Sequence, residues 1–133
     1  MTNTMEPELT VTGLESDQWT TVCELDRVTA ERGVAALVDG EQIAIFRIDV
    51  ATGTELYAVG HIDPRTGAPT MARGLVGSVG DEPTVAAPLL KEKYSLRTGE
   101  CLSNPEYSLP VFEVRLHNDQ VQVRMNVMPE KQA

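Results

Sequence analysis

Near the end of this chain hydrophobic residues recur at every second position, the clearest structural signal in the sequence. Phe112, Val114 and Leu116 alternate with polar neighbours and share one face of an extended segment over residues 111–116. After His117-Asn118-Asp119 the alternation resumes at Val121, Val123 and Met125, which predicts an antiparallel hairpin. Its other face carries Glu113, Arg115, Gln122 and Arg124, so the hairpin is expected to be half-solvated. Further upstream, residues 34–38 form a continuous apolar run closed by Asp39-Gly40, a strong hairpin signal, with residues 43–48 as the partner strand. Thr52-Gly53 then turns the chain into another strand over residues 55–59, and residues 20–25 are the first strand candidate. Residues 25–32 could form a short helix ended by Gly33, but no segment carries a helical stripe. Many short strands separated by Gly, Pro, Asn and Asp predict an all-β sandwich or barrel of packed antiparallel sheets.

Length and composition narrow this picture. A chain of 133 residues with 41% hydrophobic content suits one globular domain, and no internal repeat or linker divides it. Residues 1–17 contain four acids and no base, and they are expected to be a mostly disordered lead-in. The folded domain is placed at residues 18–128, with 129–133 as a tail. The longest apolar run, residues 85–90, is six residues with a proline inside it, far below the roughly 20 residues of a membrane span. The acidic N-terminal stretch has no apolar core of the kind a signal peptide needs, so a cytoplasmic protein is expected. A net charge of −9, from 20 acids against 11 bases, argues against nucleic acid and anionic lipid as partners and leaves proteins. Cys23 and Cys101 are far apart and form no framework pattern. A disulfide between them stays open, while reduced, partly buried thiols are the expectation.

Candidate chemistry is sparse. His61 and His117 lack the companion ligands that a metal site requires, and His117 falls in the hairpin turn, where exposure explains it. Neither cysteine has a nucleophile signature around it. The stretch from Gly74 to Gly80 is glycine-rich but lacks the Lys-Ser/Thr ending of a phosphate loop. It is expected to be a flexible loop between strands. Asp81 and Glu82 are adjacent, so a strand would point them to opposite sides and no carboxylate pair results.

Two segments carry a more specific pattern. Ile62-Asp63-Pro64-Arg65-Thr66-Gly67-Ala68-Pro69 resembles the Cys-Pro-His-x-Gly-Ala-Pro loop of Rieske domains. Ala87-Pro88-Leu89-Leu90 resembles the second loop, Cys-Pro-x-His, and Tyr94-Ser95-Leu96-Arg97-Thr98-Gly99-Glu100 resembles the strand and turn that follow. A Rieske [2Fe–2S] centre needs two thiolates and two imidazoles. The four ligand positions here hold Asp63, Arg65, Ala87 and Leu90. Alanine and leucine have no donor atom, and arginine stays protonated. The resemblance therefore implies a Rieske-like fold without the [2Fe–2S] cluster.

Within that class the chain resembles the small subunit of assimilatory NAD(P)H-dependent nitrite reductase over residues 19–127. The residues that carry this likeness are His61-Ile62-Asp63-Pro64, Ala72-Arg73-Gly74-Leu75, Ala87-Pro88-Leu89 and Phe112-Glu113-Val114-Arg115. The resemblance implies a chain with no catalytic residue, metal or cofactor of its own. It also implies a large partner subunit that carries FAD, siroheme and a [4Fe–4S] cluster and reduces nitrite to ammonium. In Rieske proteins the cluster tip meets electron-transfer partners. Here that tip would carry Arg65, Arg73, Lys91 and Lys93, either as ordinary solvated surface or as a partner contact. Two other readings remain open: a free-standing Rieske electron carrier, against which the missing ligands argue, and a β-sandwich interaction module of another reductase or oxygenase.

Overall fold

In the computed structural model, residues 9–11 and 19–125 are described. They form ten strands: β1 (Leu9–Val11), β2 (Trp19–Glu24), β3 (Gly33–Val38), β4 (Glu41–Val50), β5 (Gly53–Gly60), β6 (Leu75–Val79), β7 (Glu82–Ala86), β8 (Lys93–Ser95), β9 (Val111–His117) and β10 (Gln120–Arg124). Seven make one sheet in the order β1-β3-β4-β5-β9-β10-β2, and β6-β7-β8 make a second. Every pairing is antiparallel except that of β1 with β3. The end strands β1 and β2 approach one another, so the large sheet curls towards a barrel.

Strand β4 explains the layering. Ile43, Ala44, Ile45 and Phe46 are all fully buried. Alternation sends Ile43 and Ile45 into the core inside the curled sheet, with Val22, Val38, Val121 and Val123. Ala44 and Phe46 point the other way, into the seam between the two sheets, with Met71, Val85, Tyr94 and Leu96. A strand covered on both faces reads as a continuous apolar run, and this one does.

The hairpins follow their turn residues. Val38 faces Glu41 across Asp39-Gly40, both left-handed at φ +53° and +81°, as a two-residue turn between twisted strands requires. His117 faces Gln120 across Asn118-Asp119, which take the same conformation (φ +53° and +63°) without a glycine. Asn and Asp tolerate it better than other side chains.

Several expectations are corrected. Within the N-terminal lead-in, Leu9–Val11 is a strand paired in parallel with β3. The rest of residues 1–17, and the tail at 129–133, lie outside the described residues. The expected loop from Gly74 to Gly80 is instead strand β6, paired with β7 along its whole length. Val76 packs against the inter-sheet seam, and Gly80 (φ +60°) makes the turn. The candidate helix at 25–32 shrinks to one 3₁₀ turn, Leu25–Arg27. The Arg47 guanidinium donates to the carbonyls of Leu25 and Val28 (3.4 and 3.1 Å), which takes up acceptors that a longer helix would use. Leu116 was expected on the buried face with Phe112, yet it is exposed because the hairpin tip runs past the core. Gln122, expected on the solvated face, is buried beside a bulge against β2. Its carbonyl accepts from Arg115 Nε (2.8 Å) and its amide donates to Thr21 Oγ1 (2.9 Å). Trp19 closes that face between the Arg115 and Arg124 guanidiniums, 4.5 and 4.7 Å from its ring.

Two predictions follow from this packing. Gly99 has φ +81° and an added methyl would strike the Leu109 carbonyl, whereas Gly80 has φ +60° and open space around it. Gly99→Ala is expected to cost about 2–4 kcal/mol and Gly80→Ala about 1 kcal/mol, read from urea unfolding midpoints. Equal costs would contradict the steric account. Burial pushes the Cys23 thiol up from 9.0 to about 11. The neutral thiol is favoured in the folded state, so that contribution to stability is full below pH 9.0 and is lost as pH rises through about 11. Alkylation of Cys23, followed by mass spectrometry, should be negligible near neutrality in the folded protein and prompt once the chain is unfolded.

Candidate functional site

The site is the tip where two loops converge, and each loop is held by its own backbone. The first leaves β5 at Gly60. Asp63 N donates to the Ala68 carbonyl (2.8 Å), Gly67 N to the Asp63 carbonyl (2.7 Å), and Asp63 Oδ1 accepts from Arg65 N (2.8 Å). Asp63 is fully buried and acts as the organiser of this turn. Before it, buried His61 uses Nδ1 to accept from Ala72 N (3.1 Å), its carbonyl to accept from Met71 N (3.0 Å) and its amide to donate to Gln42 O (3.1 Å). The imidazole thus pins the loop's return to the core. The second loop leaves β7, with Ala87 N donating to Glu92 O (2.8 Å) and Lys91 N to Ala87 O (2.9 Å). Lys91 takes φ +64° to close it.

Side chains tie the loops together. The Arg65 guanidinium pairs with the Glu92 carboxylate and lies over the Tyr107 ring, 5.1 Å from its centroid. Glu92 also accepts from the Ser103 hydroxyl and from Cys101 Sγ (3.3 Å). These donors, Ser103 foremost, hold the Glu92 carboxyl below the usual carboxylate range. Deeper, burial pushes the Tyr94 phenol up to about 12, with the Asp63 charge adding to the effect. Among the described residues neither Asp63 Oδ2 nor Tyr94 Oη has a hydrogen-bond partner.

The four positions where the sequence pattern places cluster ligands cannot hold iron. Asp63 spends one oxygen on a backbone amide, and Arg65 is cationic and paired. Ala87 is buried in the seam, while Leu90 is exposed. Cys101 stands at the tip, but Cys23 belongs to the other core. A [2Fe–2S] centre needs four soft or imidazole donors, so these residues do not fit one. Among the described residues, no group of three or more His, Cys, Asp or Glu is placed to hold a metal ion.

The four basic residues of the tip separate. Lys91 and Lys93 share a cleft with Val79, Leu102 and Ser103. Arg73 lines a different one, with Gly33, Val34, Gln42 and His61. Arg65 is turned to Glu92. His117 ends β9 at the surface, and Asp81 sits in the β6–β7 turn while Glu82 bonds Ser95. Sequence reasoning missed Glu92, the acceptor on which the tip network converges. It stands between two lysines with no motif spacing, and only the approach of three loops reveals its role.

The comparisons agree with this geometry. The family model for the Rieske-like [2Fe-2S] domain matches residues 18–124. The NADH nitrite reductase small subunit of Escherichia coli K12 is 35% identical over 107 residues, covering 80% of this chain and 97% of that protein. A crystal structure of an NADH-dependent nitrite reductase small subunit from Mycobacterium tuberculosis is 41% identical, with a TM-score of 0.74, covering 80% of this chain and 93% of that one. A protein of Klebsiella oxytoca named as the nitrite reductase large subunit is 34% identical over 110 residues, which is 83% of this chain but 11% of that protein. With a Rieske-like frame, a tip whose residues do not fit a [2Fe–2S] centre and these likenesses over most of its length, the chain belongs to the small-subunit family of the nitrite reductases.

Proposed function

We propose that this chain is the accessory small subunit of a cytoplasmic assimilatory nitrite reductase. It takes no electrons itself and supports a large subunit that carries FAD, siroheme and a [4Fe–4S] cluster and reduces nitrite to ammonium. The observation that supports this best is the Arg65–Glu92 pair, which ties together two loops whose residues at 63, 65, 87 and 90 do not suit a [2Fe–2S] centre. The two loops keep a Rieske-like course, but an ion pair and the Ser103 and Cys101 donors tie them, where a Rieske domain would use iron. Such a subunit acts by binding: whatever stabilises the assembled large subunit raises the fraction that is folded and competent. Among the described residues no helix is long and apolar enough to cross a membrane.

Two measurements test this. Anaerobic reconstitution with iron and sulfide should leave the purified chain without stoichiometric iron and without a visible charge-transfer spectrum; a stable [2Fe–2S] spectrum would overturn the reading. Nitrite-dependent NADH oxidation by the large subunit should rise, or persist longer, when this chain is added. No change, together with failure to co-purify, would reduce the reading to a statement about fold.

A further inference from the structure

The three-stranded sheet has a core face and an outer face; the middle row of the outer face, Gly77, Thr84 and Ser95, has its two hydroxyl residues buried, while large apolar residues stay exposed in the rows to either side. Val76, Val85 and Tyr94 turn inward to the seam. The opposite face carries Leu75 and Val79 on β6, and register sets Leu75 beside Ala86 and Ala86 beside Lys93 in one row across the sheet. Leu75 is 78% exposed. Leu102 adjoins this row, its amide donating to the Lys93 carbonyl (2.8 Å), and it lines a cleft with Val79, Lys91 and Lys93. The exposed Leu89 and Leu90 form the turn that precedes Lys91. Nine large hydrophobic residues are exposed among the described residues, and five of them, Leu75, Val79, Leu89, Leu90 and Leu102, fall between positions 75 and 102. Val79 and Leu102 share one cleft and Leu102 adjoins the row that holds Leu75, so the face carries more than the single exposed apolar residues of any surface.

Its edge is unguarded as well. β6 is an outer strand of its sheet, and its sequence, Leu75 to Val79, holds no charge and no proline. Sheet edges that stay in water usually carry one or the other. The lysines complete the description. Lys91 and Lys93 have no ion pair among the described residues, in a chain of net charge −9.

We propose that this outer face, with Leu102 and the Leu89–Leu90 turn, is the surface the large subunit covers, and that the large subunit meets it with an apolar patch flanked by carboxylates. The inference rests on the proposed function and adds where and by what chemistry the two chains meet. Charge selects the occupant. A second copy would bring −9 against −9 and, in a two-fold contact, lysine against lysine. A partner with acids around an apolar centre would neutralise both lysines and remove the leucines from water. The Klebsiella oxytoca relative joins a domain like this one to a much longer chain, so a domain of this kind can stand in one polypeptide with large-subunit sequence.

The test measures the affinity of the full chain for the intact large subunit. Leu75→Gln and Leu102→Gln sit on exposed positions, and unchanged thermal midpoints will confirm that they fold. Each should weaken binding by about tenfold, and Lys91→Glu with Lys93→Glu by a similar factor that shrinks in high salt. Val50→Gln and Leu116→Gln, exposed apolar positions elsewhere, should bind as the unaltered chain does. Normal binding by the Leu75→Gln, Leu102→Gln double variant overturns this inference and leaves the proposed function standing. Failure of the unaltered chain to bind overturns both. A reversible dimer of the free chain that the same variants disperse would assign the face to self-association and overturn the inference.

Discussion

The fold depends on burying one strand from both sides. Ile43 and Ile45 of β4 fill the curled sheet, while Ala44 and Phe46 fill the seam to the smaller sheet, and all four are closed to solvent. Each large side chain of this kind contributes on the order of 1.5–3 kcal/mol by leaving water. Because a strand alternates, a one-residue slip of β4 would exchange its contributions to both cores at once. The long, unbroken pairing of β4 with β3 and β5 fixes that register. Everything at the tip hangs on this arrangement: the first loop leaves the end of β5, and the second leaves β7, whose Val85 packs into the seam that Phe46 occupies.

The tip shows how a frame suited to a metal centre can be closed without metal. Coordination bonds would join two loops by four strong, directional contacts. Here a partly buried ion pair does it, with Glu92 taking hydrogen bonds from Arg65, Ser103 and Cys101. An exposed pair alone would contribute little, but a carboxylate with several donors, whose arginine partner lies over the Tyr107 ring, forms a network whose members orient one another. Beneath it the buried Asp63 carboxylate and the Tyr94 phenol place polar atoms at the edge of the apolar seam.

That construction separates two roles that a Rieske-like tip combines in a redox protein. Electron transfer needs the donors, which are absent at positions 63, 65, 87 and 90. Binding needs only shape, charge and apolar surface. Exposed apolar residues lie beside the two loops, on the outer face of the small sheet and around Lys91 and Lys93.

Much was legible in the residues themselves. Period-two alternation, the apolar run at 34–38 and the Asp39-Gly40 and Asn118-Asp119 turns determined the hairpins, because strand faces and left-handed turns are local properties of a few neighbouring residues. The want of iron donors was equally plain, since it concerns which atoms exist at each position. Tertiary structure alone decided what depends on distant segments meeting. The glycine-rich stretch became a strand because Val76 found the seam, Gln122 was buried because Thr21 and Arg115 could satisfy it, and Leu116 stayed in water because the hairpin outran the core. Glu92 became the hub of the tip for the same reason: two other segments, one at Arg65 and one at Cys101 and Ser103, deliver their donors to its carboxylate, and no local pattern encodes that meeting.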